Sequence, residues 1–88
     1  MELDILYKAV DPERGNFDGW YLTFDFTCYI DSYIAKQLHI PLSNYIEILQ
    51  GCNGKPYYNK YHKGYVIHGF KNKEDAEKAL VALKLIMS

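Results

Sequence analysis

Leu3, Ile5, Tyr7 and Ala9 alternate with Asp4, Leu6, Lys8 and Val10, the period-two spacing of a β-strand with one imperfectly polar face. Between Asp11 and Gly19 the chain collects Pro12, Gly15, Asn16, Asp18 and Gly19, turn formers that reverse it. From Trp20 to Ile30 every even position is apolar (Trp20, Leu22, Phe24, Phe26, Cys28, Ile30) and the odd positions are Tyr21, Thr23, Asp25, Thr27 and Tyr29. That alternation predicts one long antiparallel strand with its even face buried.

The period then changes. Asp31 is suited to cap a helix, since a carboxylate there accepts free backbone N–H groups at the positive end of the dipole. Ile34 and Leu38 share the face of that helix, Pro41 interrupts it, and Leu42, Tyr45, Ile46 and Leu49 continue the helical spacing to a terminator at Gly51. Lys55-Pro56 reopens an extended region. Tyr57 to Tyr61 and Tyr65 to Phe70, with His62-Lys63-Gly64 between them, read as a hairpin. A last helix starts at the Asn72 cap, with Ala76, Ala79, Leu80, Leu83 and Met87 on one face and Glu74 placed four residues before Lys78.

Hairpin, helices, hairpin, helix is the expected order. It predicts an α+β fold: a four-stranded antiparallel sheet with the helices packed on the face that carries Trp20, Phe24 and Phe26, and the opposite face open. The 88 residues suit one domain spanning 1–88. At 49% hydrophobic and 24% charged, the chain has an ordinary globular balance. Nine tyrosines, four phenylalanines and one tryptophan supply buried area that so small a domain needs.

Net charge is −1, but residues 1–50 hold eight acids against three bases and residues 51–88 hold seven lysines against three acids. This split allows two opposite electrostatic faces. No apolar run approaches the ~20 residues of a membrane span, and the amino terminus lacks the order of a signal peptide, so a cytoplasmic location in the host cell is expected. Cys28 and Cys52 lack Cys-x-x-Cys spacing and read as free buried thiols. His39, His62 and His68 are not spaced as zinc ligands. No metal and no cofactor is expected.

Lys63-Gly64-Tyr65-Val66-Ile67-His68-Gly69-Phe70 resembles the central strand motif of RNA recognition motif domains at its lysine, glycine, tyrosine and final phenylalanine, and Glu74 to Leu80 is similar to the helix that follows it. Val66 stands where that family has a small residue and Ile67 where an aromatic stacks a base. Two strands rather than one precede the first helix, and no binding residue is carried over from the family. The segment Ile34 to Ile48 is similar in spacing to a helix-turn-helix, but the turn position is His39, not glycine, and the second helix offers Ser43, Asn44, Glu47 and Gln50 with no base to meet phosphate.

Catalytic motifs are lacking: there is no phosphate-binding glycine loop, His-Glu-x-x-His or Gly-x-Ser-x-Gly. Asp25 facing His68 across neighbouring strands is the nearest approach to an acid–base pair, and the expectation is a chain that is not an enzyme. Two binding readings follow. The preferred one is a protein-interaction module that grips a protein partner through the acidic loop (Asp11, Glu13, Asp18) and an outward face of Tyr21, Asp25 and Tyr29. By analogy of size and composition, such a module suits the small inhibitors or regulators carried by phages and mobile elements, which block nucleic-acid-processing proteins. The alternative is nucleic-acid binding by the basic second hairpin, with Lys55, Lys60 and Lys63 meeting phosphates and Tyr58, Tyr61 and Tyr65 stacking bases. A pI of about 6.3 disfavours general nucleic-acid affinity. Sheet-edge pairing between two copies is compatible with either reading.

Overall fold

The alternating run from Trp20 to Ile30 is cut in two by a reversal at Asp25 and Phe26, and that cut shapes the sheet. In the computed structural model, which describes residues 2–60 and 65–87, β1 (Leu3–Lys8) pairs antiparallel with β2 (Gly19–Phe24), and β2 turns straight back into β3 (Thr27–Cys28). Asp25 and Phe26 have φ of 48° and 68°. Two-residue hairpin loops favour such values because their twist then matches that of the strands. The sheet therefore has five strands where alternation alone predicts four. Phe26, expected in the core beside Trp20 and Phe24, stands at the turn tip 78% exposed.

After β3 come α1 (Asp31–Gln37), α2 (Leu42–Gly51), β4 (Lys55–Tyr58), β5 (Val66–Phe70) and α3 (Lys73–Met87). The strand order is β1-β2-β5-β4. β1 occupies one side of β2 along its whole length, so β5 and β3 share the other: β5 pairs at Trp20 and Tyr21, β3 at Thr23 and Phe24. β2 and β4 are each antiparallel to β5 and hence parallel to one another. Joined through α1 and α2, they form a split β-α-β unit with β5 inserted. β1 and β4 are the sheet's edges, and the edge position explains how β4 accommodates Pro56.

The register puts Leu3, Ile5, Leu22, Phe24 and Phe70 on the face that meets Ile34, Ala35 and Leu38 of the α1 segment, Tyr45 and Leu49 of α2, and Ala76, Ala79 and Leu83 of α3. The opposite face, predicted open, is closed. Tyr21 and Thr23 are buried, and Tyr21 packs with Tyr57, Ile67, Phe17, Cys28 and Ile30 in a second apolar cluster. The cause is the Asp11–Gly19 loop, which lays Phe17 across the sheet and accepts the Tyr21 hydroxyl on the Phe17 carbonyl at 2.6 Å. The Tyr21 ring lies over Gly69, where any side chain would collide with it.

Helix ends depart from prediction in an informative way. Gly51 lies inside α2, and the left-handed terminating residue is Asn53 at φ 65°, with Gly54 N–H donating to the Leu49 carbonyl at 2.8 Å and Asn53 N–H to Gln50 at 3.1 Å. The α1 end is built alike: His39 has φ 58°, Ile40 N–H donates to Ala35 and His39 N–H to Lys36, each at 3.1 Å. Both are Schellman closures, in which glycine is the usual left-handed residue. At α3 the predicted cap is present, with Asp75 N–H donating to Asn72 Oδ1 at 3.0 Å. Met87 is half-exposed rather than packed.

A left-handed backbone costs a residue with a Cβ about 1–2 kcal/mol. His39 is exposed, so His39→Gly relieves that strain without opening a cavity. The expected outcome is a gain of about 0.5–1 kcal/mol and a thermal midpoint higher by about 2–8 °C, read by differential scanning calorimetry.

Candidate interaction surfaces

The acidic loop is folded on itself. Asp11 Oδ1 accepts Glu13 N–H at 3.0 Å and its Oδ2 lies 3.8 Å from Arg14 Nε. Asp18 Oδ1 accepts Val10 N–H at 2.5 Å, and buried Asn16 bridges the loop by accepting Asp11 N–H and donating to the Ala9 and Phe17 carbonyls. These are the short-range side-chain to backbone bonds for which Asp and Asn favour turns. Of the other residues of the preferred partner surface, Tyr21 is buried beneath the loop, and Asp25 sits at the far end of β2 with Oδ1 accepting Glu2 N–H at 3.2 Å. Tyr29 is half-buried, its ring 4.4 Å from that of Tyr33. The six residues do not form one face.

The two oppositely charged halves of the sequence meet. Lys60 N–H donates to the Arg14 carbonyl at 3.1 Å and Lys60 Nζ to the Pro12 carbonyl at 3.0 Å. Lys71 Nζ stands 4.2 Å above the Phe17 ring and Lys73 Nζ 5.2 Å from that of Trp20. Two opposite electrostatic faces are therefore replaced by an interleaved surface at this end of the sheet. In β4, Lys55 and Tyr58 are exposed while Tyr57 between them is buried. Tyr65 is exposed, and Tyr61, Lys63 and the His62-Lys63-Gly64 turn lie outside the described residues. β5 holds the central place that the resemblance to RNA recognition motifs implies. Its Ile67 and Gly69 positions are covered by the Tyr21 cluster, so no base can stack on them.

His68 does not pair with Asp25. Its Nδ1 lies 2.5 Å from Asp31 Oδ2 and its backbone N–H donates to Asp31 Oδ1 at 3.0 Å, both side chains being almost fully buried. Asp31, expected as the cap, is the first residue of α1 after an Ile30 cap with no side-chain bond, and its carboxylate turns inward to β5. The other ring nitrogen, Nε2, faces the Gln50 amide at 3.4 Å rather than a hydroxyl or thiol. This arrangement fastens α1 and α2 to β5. Spacing in the chain gives no hint of it, because the partners are 37 positions apart.

Cys28 and Cys52 are free and half-buried. Burial pushes the Cys28 thiol up, with Lys8 and Arg14 drawing it part way back, which opposes formation of a reactive thiolate. Among the described residues no group of three His, Cys, Asp or Glu side chains is placed to hold a metal ion, and no helix is long and apolar enough to cross a membrane.

The exposed apolar surface that pattern reading passed over is on α3. Val81 and Leu85 are 58% and 69% exposed. With Glu74, Glu77, Lys78 and Ala82 they line a shallow depression of about 600 Å³. Ile86 closes one side of a second groove, about 420 Å³, with Ile40 and Ile48. The signal was present: Val81 and Leu85 are i, i+4 neighbours opposite the Ala76-Ala79-Leu83 face. Set against known protein families, curated proteins and solved structures, the chain matches none.

Removing the His68 ring takes away the side-chain hydrogen-bond partner of the buried Asp31 carboxyl, at about 1–3 kcal/mol or more. His68→Ala is expected to lower the urea midpoint accordingly and to loosen α1 in hydrogen exchange. The buried phenols add an alkaline sensitivity: burial, chiefly, pushes Tyr57 up to about 12 from 10.0, and Tyr21 further. The unfolded phenol ionises first, so this stabilisation is whole below pH 10 and is lost as pH rises from 10 toward 12. In Tyr57→Phe the fall of stability over that interval, followed by circular dichroism, becomes shallower.

Proposed function

We propose that the chain is a small, non-enzymatic protein-interaction module and that the outer face of α3 is its principal contact. One observation carries the reading: two adjacent aliphatic side chains, Val81 and Leu85, lie exposed in a shallow apolar depression on a helix whose other face buries Ala76, Ala79 and Leu83 in the core. Contiguous apolar surface with a polar rim marks protein–protein contact sites. Here the rim is Glu74, Glu77 and Lys78. In this reading the protein acts in the cytoplasm of its host cell by occupying a partner. That is how a small inhibitor or regulator of a nucleic-acid-processing protein, of the kind carried by phages and mobile elements, would work. The acidic loop contributes steering through Glu13 and Asp18, both exposed.

The alternative, nucleic-acid contact at β4, rests on the exposure of Tyr58 and Tyr65 at one end of the β4–β5 pair and of Lys55 at the other. One pair of experiments separates the two. Val81→Asp with Leu85→Asp alters only exposed positions, so the chain stays folded by circular dichroism at a cost of about 1–2 kcal/mol in helix stability, while capture of a protein partner by the immobilised chain is lost. Unchanged capture refutes the α3 surface. Fluorescence anisotropy with labelled single-stranded RNA, single-stranded DNA and duplex DNA at two salt concentrations is expected to show no affinity. Binding that falls steeply with salt and disappears in Lys55→Glu with Tyr58→Ala establishes the alternative.

A further inference from the structure

We propose that β1 is the interface of a symmetric homodimer, in which two copies join their sheets edge to edge by antiparallel β1–β1′ pairing. The inference does not depend on the α3 reading, since it uses a different surface.

β1 bonds β2 on one side and lies at the end of the strand order. An antiparallel strand sends the backbone groups of alternate residues to opposite sides. The Glu2 carbonyl accepts Asp25 N–H on the β2 side, whereas Ile5 N–H points away and is held by its neighbour's Asp4 Oδ1 at 2.8 Å. The outward groups therefore belong to Leu3, Ile5 and Tyr7. A flanking carboxylate satisfies the outward amide at Ile5, in the position where a partner strand's carbonyl would sit. The opposite edge, β4, carries Pro56, which has no N–H to offer.

The side chains of β1 are self-complementary about Leu6. Asp4 and Lys8 lie two residues to either side of it, so an antiparallel copy centred there sets Asp4 opposite Lys8′ and Lys8 opposite Asp4′, with Leu6 against Leu6′. In the same register Ile5 and Tyr7′ exchange backbone bonds and the Tyr7 ring, 54% exposed on the helix-bearing face, gains a cover. Further out, Val10′ falls opposite Glu2. Beside Glu2 is the Asp25–Phe26 turn, and Phe26 lines a small hollow there with Glu2, Asp4 and Asp25. Shifting the register by two residues sets Asp4 against Leu6′ and loses the match. Opposite charges directly across a strand pair favour that pairing and like charges oppose it.

The test is sedimentation equilibrium on the full chain over a hundredfold concentration range. The expected result is a concentration-dependent rise from 10.3 kDa to twice that mass. Lys8→Asp and Asp4→Lys, each setting like charges opposite one another, weaken the dimer at least tenfold, and the double swap Asp4→Lys with Lys8→Asp restores it. Circular dichroism verifies that each variant is folded. A Leu6→Cys chain with Cys28→Ser and Cys52→Ser forms a disulfide-linked dimer on oxidation, whereas Val81→Cys in the same background does not. A monomer at every concentration overturns the proposal. So does a dimer indifferent to the charge swaps, or one lost on Val81→Asp with Leu85→Asp and retained in Lys8→Asp, which assigns self-association to α3.

Discussion

The structure depends on one buried contact, the clasp of Asp31 and His68 between the start of α1 and the middle of β5. A split β-α-β unit needs its crossover helices held against the strand inserted between the two it connects. Here apolar packing alone leaves α1 with only two turns of helix to do so. Asp31 answers with three favourable terms at one site: the His68 ring N–H, the His68 backbone N–H, and the positive end of the α1 dipole. Gln50 meets the other side of the ring, so α2 is drawn into the same contact. Once β5 is fixed to the helices, its pairings with β2 on one side and β4 on the other carry the rest of the sheet.

A second constraint acts on the opposite face. A five-stranded sheet with helices on one side leaves the other side to water unless something covers it, and here the Asp11–Gly19 loop does. Tyr57 packs edge to face on Phe17 and Tyr21 at centroid distances of 6.3 and 5.8 Å, geometry that aromatic quadrupoles favour, and the Phe17 ring lies tilted against Tyr21 at 5.5 Å. The consequence is functional: the sheet face is not available as a platform. Exposed apolar area is found instead at Tyr7 on the β1 edge and at Val81 and Leu85 on the outer side of α3.

Charge follows the same folding. A loop rich in acids and the lysine-bearing segment that follows β4, far apart in sequence, are brought side by side when Lys60 docks on the Pro12 and Arg14 carbonyls.

Local regularities were legible in the sequence. The alternation from Leu3 to Val10, the Ala76-Ala79-Leu83 face of α3, the Asn72 cap and the break before Pro41 each arise from spacing or backbone chemistry within a few residues, and each marked a real element, although β1 ends two residues early at Lys8 and α1 ends at Gln37. The α+β antiparallel class followed from their order. Tertiary structure decided the rest. Whether Asp25-Phe26 continues a strand or turns it depends on β5 and β3 competing for the same side of β2. Whether Asp31 caps α1 or enters the interior depends on His68, 37 positions away. Whether Tyr21 faces solvent depends on where the loop lays Phe17. A side chain's period tells which face it occupies but not what covers that face, since covering is made by contacts between segments distant in the chain. For that reason the α+β class could be read in advance, while which surfaces stay exposed emerged only once the chain was packed.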